Sequence, residues 1–469
     1  MPRALRRLLP VAAIVLALNA CRFGYGSVDA GIGGQNAGGD AGGVLAGGSG
    51  SGTGGSPLAG GSDSGGAPSA GADSDAGAPA GGESAGGKGG SGGKGGSGGK
   101  GGSGGKGGSA GKGGSGGTSG SAGGGGGSAG TGGSVDLVNL VVTTAADEAD
   151  SAATPTSPGQ TGFSLREAIA FANGKAGHQS ITFDATVASI GLKSPLPAVQ
   201  ETLDIKGPVV LDASANASTS ACLSVASSDV LIDSLEIHDC QGEPVLFSSS
   251  SSSGNRLANS YLHDNEKAAV VYGSGAVISA NLITFSAVAG LEIYGKNAQV
   301  LGNDVAASLA SNYLIHDGAN GAYLLANVSI GGGNGIELGA VTGATIWHST
   351  IVDSVLAALS VGTATQIDAR NNIFDGADTY GVVGPDSAFS KLDHNLYYNN
   401  TAGNRSQGSP DATSVTGDPL FNDATNFDYA LKVGSAAIDK GVNLGVDRNQ
   451  AASGLYNGSA PDIGWTESP

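Results

Sequence analysis

Short apolar segments alternate with polar turns from about residue 135 onward, and an Asn-rich position recurs among them. Six of eight equivalent positions are Asn and two are Ser, and successive positions lie 25, 22, 22, 24, 22, 23 and 23 residues apart. These positions are Ser234, Asn259, Asn281, Asn303, Asn327, Ser349, Asn372 and Asn395. A period of about 23 residues, with short strands and no helices, predicts the coils of a parallel β-helix, which is an all-β solenoid.

The recurring Asn also predicts how neighbouring coils join. Adjacent strands lie about 4.8 Å apart, so eight coils stack to a length of about 40 Å. At this spacing, Asn side chains at one turn can hydrogen-bond to each other and to the turn backbone. Leucine-rich repeats have a similar period, but their Leu-rich frame does not occur in this sequence. A solenoid grows along one axis, so a single one can hold all the residues after 135.

A segment with helical periodicity precedes the repeat. Ser164 is a suitable N-cap, and Glu167 three residues later completes a capping box. Four apolar residues follow with the i, i+3, i+4, i+7 spacing of an amphipathic helix: Leu165, Ala168, Ile169 and Ala172. We therefore expect one short helix before the first regular coils.

Motifs around this helix resemble the CSLREA-type N-terminal region of bacterial surface β-helix proteins. They are Thr-Thr-Ala-Ala-Asp at residues 143–147, Ser-Leu-Arg-Glu-Ala-Ile at 164–169 and Ala-Asn at 172–173. Phe163 stands where the family has its leading Cys. The resemblance implies a right-handed parallel β-helix of the pectin-lyase-like kind, whose helix caps the first coils.

The C-terminal motifs resemble the choice-of-anchor Q region that ends many bacterial β-helix proteins. They occur in order at residues 395–400, 418–421, 434–441 and 462–464. Together the two resemblances divide the folded part, residues 135–469, into three sections. Residues 135–215 form the N-terminal cap and first coils, 216–405 the regular coils and 406–469 the C-terminal cap.

Composition separates a tether from this folded part. The sequence contains 87 Gly, most of them in the first third, and residues 21–134 contain almost nothing apolar to bury. A Ser-Gly-Gly-Lys-Gly-Gly repeat places five lysines in register: Lys88, Lys94, Lys100, Lys106 and Lys112. We expect this segment to be disordered, with a reach on the order of 60 Å.

The first 20 residues predict an export signal. Basic residues precede an apolar run at residues 8–18, which is too short to span a bilayer as a helix. The run ends in Leu-Asn-Ala-Cys, which resembles the lipobox of bacterial lipoproteins, so Cys21 is the predicted lipidation site. Arg22 in the next position favours the outer membrane or cell surface, with the lipid anchor as the contact to the membrane.

Net charge and cysteine usage narrow the remaining options. The net charge of −18 gives no electrostatic footprint for nucleic acid, so nucleic acid is not an expected partner. Cys222 and Cys240 are the remaining cysteines. An exported protein meets an oxidising compartment, so they either pair in a disulfide or pack as two buried thiols.

One candidate site follows from strand alternation. Tyr272, Tyr294 and His316 lie 22 residues apart, so they should stack on one exposed face with Glu292 beside them. Glu337 occupies the position of Glu292 two coils later. This column is a structural aromatic ladder, a surface that contacts sugars, or a lyase site in which Tyr294 and His316 act as acid and base.

A second candidate site contains two His–Asp pairs one coil apart, His238-Asp239 and His263-Asp264. Such pairs can bind a metal ion or a uronate, and they are also common in turns. A third group is predicted to form a charged network in the C-terminal cap, where its carboxylates could bind calcium: Asp439, Asp447, Arg448 and Asp462. No specific motif supports calcium, and no other cofactor is expected.

These patterns favour a cell-surface β-helix lipoprotein that contacts extracellular polysaccharide or neighbouring cells without catalysing a reaction. The alternatives are a lyase acting on polysaccharides that contain uronic acid and a passive structural protein of the envelope. The signature of pectate-lyase-like enzymes is not met, because the basic residues are scattered relative to the repeat. The Gly-His-Gly motif of polygalacturonase-like glycosidases does not occur in the sequence. The sequence therefore leaves enzymatic activity open and favours a binding role.

Overall fold

The computed structural model describes residues 138–447 and 455–468. The predicted export signal, the lipidation site Cys21, the Gly-rich tether and Arg448 lie outside these residues. Within the described part of the chain, no helix is both long enough and apolar enough to cross a membrane.

The described chain consists almost entirely of short strands with one α-helix. In chain order the elements are β1 (Val138–Val142), α1 (Leu165–Asn173), β2 (Gln179–Phe183), β3 (Ser189–Gly191), β4 (Leu203–Asp212), β5 (Leu223–Val225), β6 (Leu231–His238), β7 (Val245–Phe247), β8 (Arg256–Ala258), β9 (Tyr261–His263), β10 (Ala269–Val271), β11 (Val277–Ser279), β12 (Leu282–Thr284), β13 (Leu291–Ile293), β14 (Gln299–Leu301), β15 (Asp304–Ala306), β16 (Ser311–Ile315), β17 (Tyr323–Leu325), β18 (Val328–Ile330), β19 (Asn334–Leu338), β20 (Thr345–Trp347), β21 (Thr350–Val352), β22 (Leu359–Val361), β23 (Ile367–Arg370), β24 (Ile373–Asp375), β25 (Tyr380–Val383), a 3₁₀ turn (Asp386–Ala388), β26 (Phe389–Asp393), β27 (Leu396–Tyr398), β28 (Gly403–Arg405), β29 (Val415–Thr416), β30 (Phe421–Asp423), a second 3₁₀ turn (Ala424–Asn426) and β31 (Asp428–Leu431).

The strands form a parallel solenoid with three faces. Face A contains β8, β11, β14, β17, β20, β23 and β26, and face B contains β9, β12, β15, β18, β21, β24, β27 and β29. Face C contains the nine strands β5, β7, β10, β13, β16, β19, β22, β25 and β28. The long strands β4 and β6 run through the corner between faces A and B. The predicted all-β solenoid is confirmed.

A buried amide ladder occupies the corner between faces A and B. Oδ1 of Asn303 accepts from the backbone N–H and from Nδ2 of Asn281, at 3.0 and 2.9 Å. Nδ2 of Asn303 donates to the Ile278 carbonyl at 2.9 Å and to Oδ1 of Asn327 at 3.1 Å. Asn372 and Asn395 repeat the arrangement. Each ladder side chain therefore satisfies backbone groups that the corner would otherwise bury unpaired.

The predicted anchors are correct from Asn281 onward and wrong by one residue in the first two coils. Strand pairing places Ser260, not Asn259, opposite Asn281 in the ladder, and Leu235, not Ser234, opposite Ser260. Ser234 and Asn259 instead occupy the preceding turn position, which has positive φ in both coils. Asn tolerates this left-handed conformation, so an Asn at either of two adjacent positions fits the same pattern.

The helix α1 and three sequence motifs form one N-terminal unit. The predicted capping box is present, since Ser164 accepts from the Glu167 backbone and Glu167 accepts from the Ser164 backbone. Arg166 makes a two-point ion pair with Asp147, at 2.8 and 2.9 Å. The same guanidinium donates to the carbonyls of Ser194 and Pro195. One Arg thus joins segments that are far apart in sequence.

Cys222 and Cys240 form a disulfide between consecutive coils. Cys222 immediately precedes β5 and Cys240 lies just beyond the end of β6. Both residues are fully buried in the solenoid core. Of the two alternatives left open by the sequence, the structure contains the paired form.

The C-terminal segment packs along the outside of face B. Ile463 and Leu431 bury the outward side chains of Ile373 and Leu396 in a second apolar cluster. Asp462 accepts from the Asp439 backbone N–H at 2.8 Å, and Asp439 accepts from two further amides. These hydrogen bonds hold the pKa of Asp439 below its usual value. Both carboxylates thus fix turns of the cap, and their predicted binding of calcium stays a prediction.

We expect Asn303→Ala to destabilise the full chain by about 2–4 kcal/mol, because it leaves a buried N–H and a buried carbonyl without partners. Urea unfolding followed by circular dichroism measures this loss. The matched control is Asn259→Gly, in an exposed turn where glycine retains the positive φ. It should cost less than about 1 kcal/mol. Equal losses in the two variants would show that the ladder has no special role.

Candidate functional site

The predicted column Tyr272–Tyr294–His316 is present at one edge of face C. The three residues directly follow β10, β13 and β16, which pair in parallel and in register. The rings of Tyr272 and Tyr294 stack at 4.5 Å and 22°, and those of Tyr294 and His316 at 3.7 Å and 9°. Equal spacing within adjacent coils is therefore enough to bring these residues together.

Glu292 connects the column by hydrogen bonds. Strand alternation buries Leu291 and Ile293 and turns Glu292 outward, as predicted. One carboxylate oxygen, Oε2, accepts from the Tyr294 hydroxyl at 3.1 Å and lies 3.0 Å from Nε2 of His316. Both rings are thereby held in a fixed orientation beside a carboxylate.

The pKa of Tyr294 is raised well above its usual value. Burial of the ring contributes most, and the neighbouring negative charge of Glu292 adds to it. The phenol consequently keeps its proton at neutral pH and acts as a hydrogen-bond donor. In the predicted acid–base pair with His316, this environment suits Tyr294 as the proton donor, and a role of the pair in elimination stays a prediction.

A pocket of about 200 Å³ lies against the column on the outer surface of face C. Its lining comes from three coils and combines aromatic, apolar and charged groups: Glu243, Lys267, Ala268, Val270, Tyr272, Val288, Glu292 and Tyr294. Ala268 and Val270 are almost fully buried and belong to a small apolar cluster on this outer surface. Lys267 is paired with Glu243 at 3.2 Å. The pocket thus combines apolar and polar groups in a volume smaller than that of most small-molecule sites.

The stacking changes how the rings can contact a ligand. The rings of Tyr272 and His316 cover the two faces of the Tyr294 ring, so those faces are not available for stacking on a sugar. The equivalent residue one coil before Tyr272 is Ser248, so no aromatic ring covers that side of Tyr272. Tyr272 is also the most exposed member, at 38%. Tyr272 and Tyr294 both line the pocket, and Tyr272 has the more exposed ring.

Glu337 does not join this site, which corrects the sequence-based grouping. Its register is as predicted, since Glu292 pairs with Leu314 and Leu314 with Glu337. However, its carboxylate accepts from Ser311 at 2.5 Å and from Asn334 at 3.0 Å, two coils from Glu292. A repeat predicts the direction in which a side chain points, but the distance along the solenoid separates the two carboxylates.

Sequence reasoning missed Glu243 and Lys267. Neither residue lies in a strand; both lie just before face C, in a turn whose length differs between coils. Their equivalent positions could not be aligned by a fixed period. The only sequence signal that could have grouped these two residues is the 24-residue distance between them, which is close to the length of one coil.

The second predicted column lies on face B. His238 and His263 occupy paired positions and their rings stack at 4.9 Å and 20°. Nδ1 of each ring lies 2.7–2.8 Å from the carboxylate of the next residue, Asp239 or Asp264. Tyr261 stacks on His263 at 4.1 Å, and burial raises the pKa of Tyr261 to about 12. The structure thus brings together all four predicted residues.

Comparisons with known proteins agree on the architecture. A family model described as the right-handed beta helix region matches residues 210–324. No curated protein matches the chain. Together with the parallel three-faced solenoid, this match shows a right-handed parallel β-helix.

Solved structures of the same architecture include the pectate lyase Pel9A, with a TM-score of 0.50 and 13% identity over 71% of this chain and 98% of that chain. The periplasmic alginate epimerase AlgG has a TM-score of 0.31 and 12% identity over 51% of this chain and 74% of that one. The Dettilon tailspike protein has a TM-score of 0.28 and 13% identity over 60% and 69%. At 13% identity, the likeness to Pel9A shows the fold alone.

We expect Glu292→Gln to lower the pKa of Tyr294, because the substitution removes a negative charge that disfavours the phenolate. NMR titration of protein labelled at the tyrosine ring, with Tyr294→Phe for assignment, measures the shift. Glu337→Gln is the matched control, since it removes an equivalent carboxylate two coils away. If Tyr294 had the same pKa in Glu292→Gln as in Glu337→Gln, the proposed effect of Glu292 on Tyr294 would be contradicted.

Proposed function

We propose that face C binds neutral polysaccharide through the pocket beside Tyr272. The observation that carries this proposal is the pocket's composition. An apolar floor and an exposed tyrosine ring suit the C–H face of a sugar, while Glu243, Glu292 and Lys267 can hydrogen-bond to its hydroxyls. The volume of about 200 Å³ is small, so the pocket fits one sugar unit of a longer chain that runs across the coils.

Charge decides between neutral and acidic sugars. Two carboxylates and one ammonium line the pocket, and the ammonium is already paired with Glu243. A uronate would meet the carboxylate of Glu292, whose partners are the Tyr294 hydroxyl and His316 and not a Lys or Arg, in a chain of net charge −18. Two negative charges in one small pocket repel each other, so neutral glycans are the favoured ligands.

The same features weaken the lyase alternative. Elimination from a uronan needs a base and a cation to neutralise the sugar carboxylate. Tyr294 keeps its proton, so His316 would have to be the base, and the one lysine in the lining is paired with Glu243. The name of one protein with the same fold, a pectate lyase, nevertheless makes pectate a proper substrate for a control assay.

We expect Tyr272→Ala to weaken binding to neutral glycans on the order of fivefold, the loss of about 1 kcal/mol of aromatic contact. A glycan array identifies the ligand, and isothermal titration then measures its affinity for the full chain. Tyr398→Ala is the matched control, because Tyr398 is 37% exposed on face B and lies outside the pocket.

Two outcomes would contradict the proposal. One is an absence of binding to every neutral glycan by the parent chain. The other is formation of unsaturated product from pectate that Tyr272→Ala or His316→Ala abolishes, which would favour the lyase instead. A parent chain with neither binding nor turnover would favour the passive structural role.

We further propose that Cys21 carries a lipid and that the Gly-rich segment holds the β-helix away from the outer membrane. This proposal rests on the sequence of residues 1–134. Labelled palmitate should enter the parent chain and should not enter Cys21→Ala, which we expect in the soluble fraction. Cys222→Ala is the control, because it removes a cysteine while leaving the lipobox intact. Equal labelling of the parent and Cys21→Ala would show the lipidation site to be wrong.

A further inference from the structure

Two carboxylates converge on one imidazole nitrogen at the end of face B. Asp212 ends β4 and His238 ends β6, and the two residues are paired in register across adjacent coils. Asp239 follows His238 with a positive φ of 58°. The turn therefore directs the Asp239 carboxylate back toward the ring, while strand pairing brings in Asp212 from the neighbouring coil.

The distances place three potential ligand atoms together. Nδ1 of His238 lies 2.8 Å from Oδ2 of Asp239 and 4.0 Å from Oδ1 of Asp212. All three ligand atoms lie within 4.8 Å of one another. Bonds of about 2.0–2.2 Å to a tetrahedral Zn²⁺ put ligand atoms about 3.4 Å apart. Small rotations of two partly exposed Asp side chains, 39% and 48% exposed, supply this geometry.

Hydrogen bonds account for only part of this arrangement, since Asp212 Oδ1 accepts from the backbone N–H of Ser214 at 2.9 Å and so fixes its own turn. Nδ1 of His238 has at most one proton, and Asp239 is the nearer acceptor. Among the described contacts, the Asp239 carboxylate makes no hydrogen bond to the turn backbone, so stabilising the turn does not account for it. His238 itself is only 19% exposed. The two carboxylates that face this nitrogen supply, together with it, a ligand set of the kind that a divalent metal uses.

The surroundings add further negative charge. Glu236 and Asp264 bind the two nitrogens of His263, whose ring stacks on that of His238. Among the described residues, the ion pairs of all four carboxylates are with these two histidines and with no Lys or Arg. Four carboxylates and two imidazoles thus share one patch, which attracts a divalent cation.

We propose that Asp212, His238 and Asp239 bind a divalent transition metal, for which Zn²⁺ is the probe. One imidazole and two carboxylates suit Zn²⁺, whereas Ca²⁺ prefers six to eight oxygen ligands. The metal links β4 to β6 and so fastens two adjacent coils near the N-terminal end of the solenoid. This site is independent of the glycan pocket on face C.

Isothermal titration of Zn²⁺ into the full chain tests the site. We expect one Zn²⁺ to bind more weakly by at least tenfold in Asp212→Asn and in His238→Gln, and a similar loss in Asp239→Asn. The control is His394→Gln. His394 has the same contact to a neighbouring carboxylate, 2.9 Å from Asp393, and no second carboxylate on that nitrogen, so this variant should bind as the parent does.

A second measurement separates loss of ligands from loss of fold. Because the metal binds the folded chain, saturating Zn²⁺ should raise the melting temperature of the parent and of His394→Gln, but not of Asp212→Asn. Asp212→Asn without metal should melt near the parent temperature, since it is nearly isosteric. Ca²⁺ at the same concentration should not displace Zn²⁺. Failure of the parent to bind Zn²⁺, or undiminished binding by His238→Gln and Asp212→Asn, would overturn the proposal.

Discussion

The buried corner between faces A and B imposes the constraint on which the whole solenoid depends. Each coil turns there within two residues, which leaves backbone N–H and C=O groups without strand partners and without water. The amide of Asn has an acceptor and a donor on one short side chain, so it can satisfy an N–H and a carbonyl of the preceding coil at once. Ser349 provides an acceptor for the Asn327 N–H at a longer distance of 3.4 Å, which explains why Ser appears in the ladder less often.

Once the corner holds adjacent coils in place, the strand register decides which side chains are neighbours on the outer surface. Parallel pairing without slippage makes any side chain that recurs at one coil position a neighbour of its equivalent, about 4.8 Å away. The stacking of Tyr272, Tyr294 and His316 and the outward direction of Glu292 could therefore be predicted from spacing alone. The capping box of α1 could also be predicted from spacing, in this case the spacing of two residues along one helix. Each of these depends on one period, either that of a coil or that of a helix.

Contacts between residues that do not follow one common repeat period could not be predicted from the sequence. Glu243 and Lys267 reach the pocket from turns whose lengths vary, and Asp212 joins His238 from a long strand that precedes the regular repeat. The shift of the first two anchors has the same origin, because Leu235 has no ladder side chain and Ser260 substitutes for Asn. The return of Leu431 and Ile463 over face B depends on outward apolar residues such as Ile373, whose burial no strand pattern reveals.

Both candidate sites lie toward the N-terminal end of the solenoid, in the coils between Asp212 and His316. There the disulfide between Cys222 and Cys240 joins coils that lack a ladder Asn, and polar side chains take over contacts between coils. The hydrogen-bonding groups of a ladder Asn are occupied by its neighbours. Glu337, outside the ladder, is likewise occupied by hydrogen bonds from Ser311 and Asn334. Glu292 and Asp212 instead retain exposed carboxylate surface while their backbone positions are fixed by strand pairing. A rigid coil with incompletely committed polar groups is the arrangement that binding requires, because the chain orders these groups before the ligand arrives.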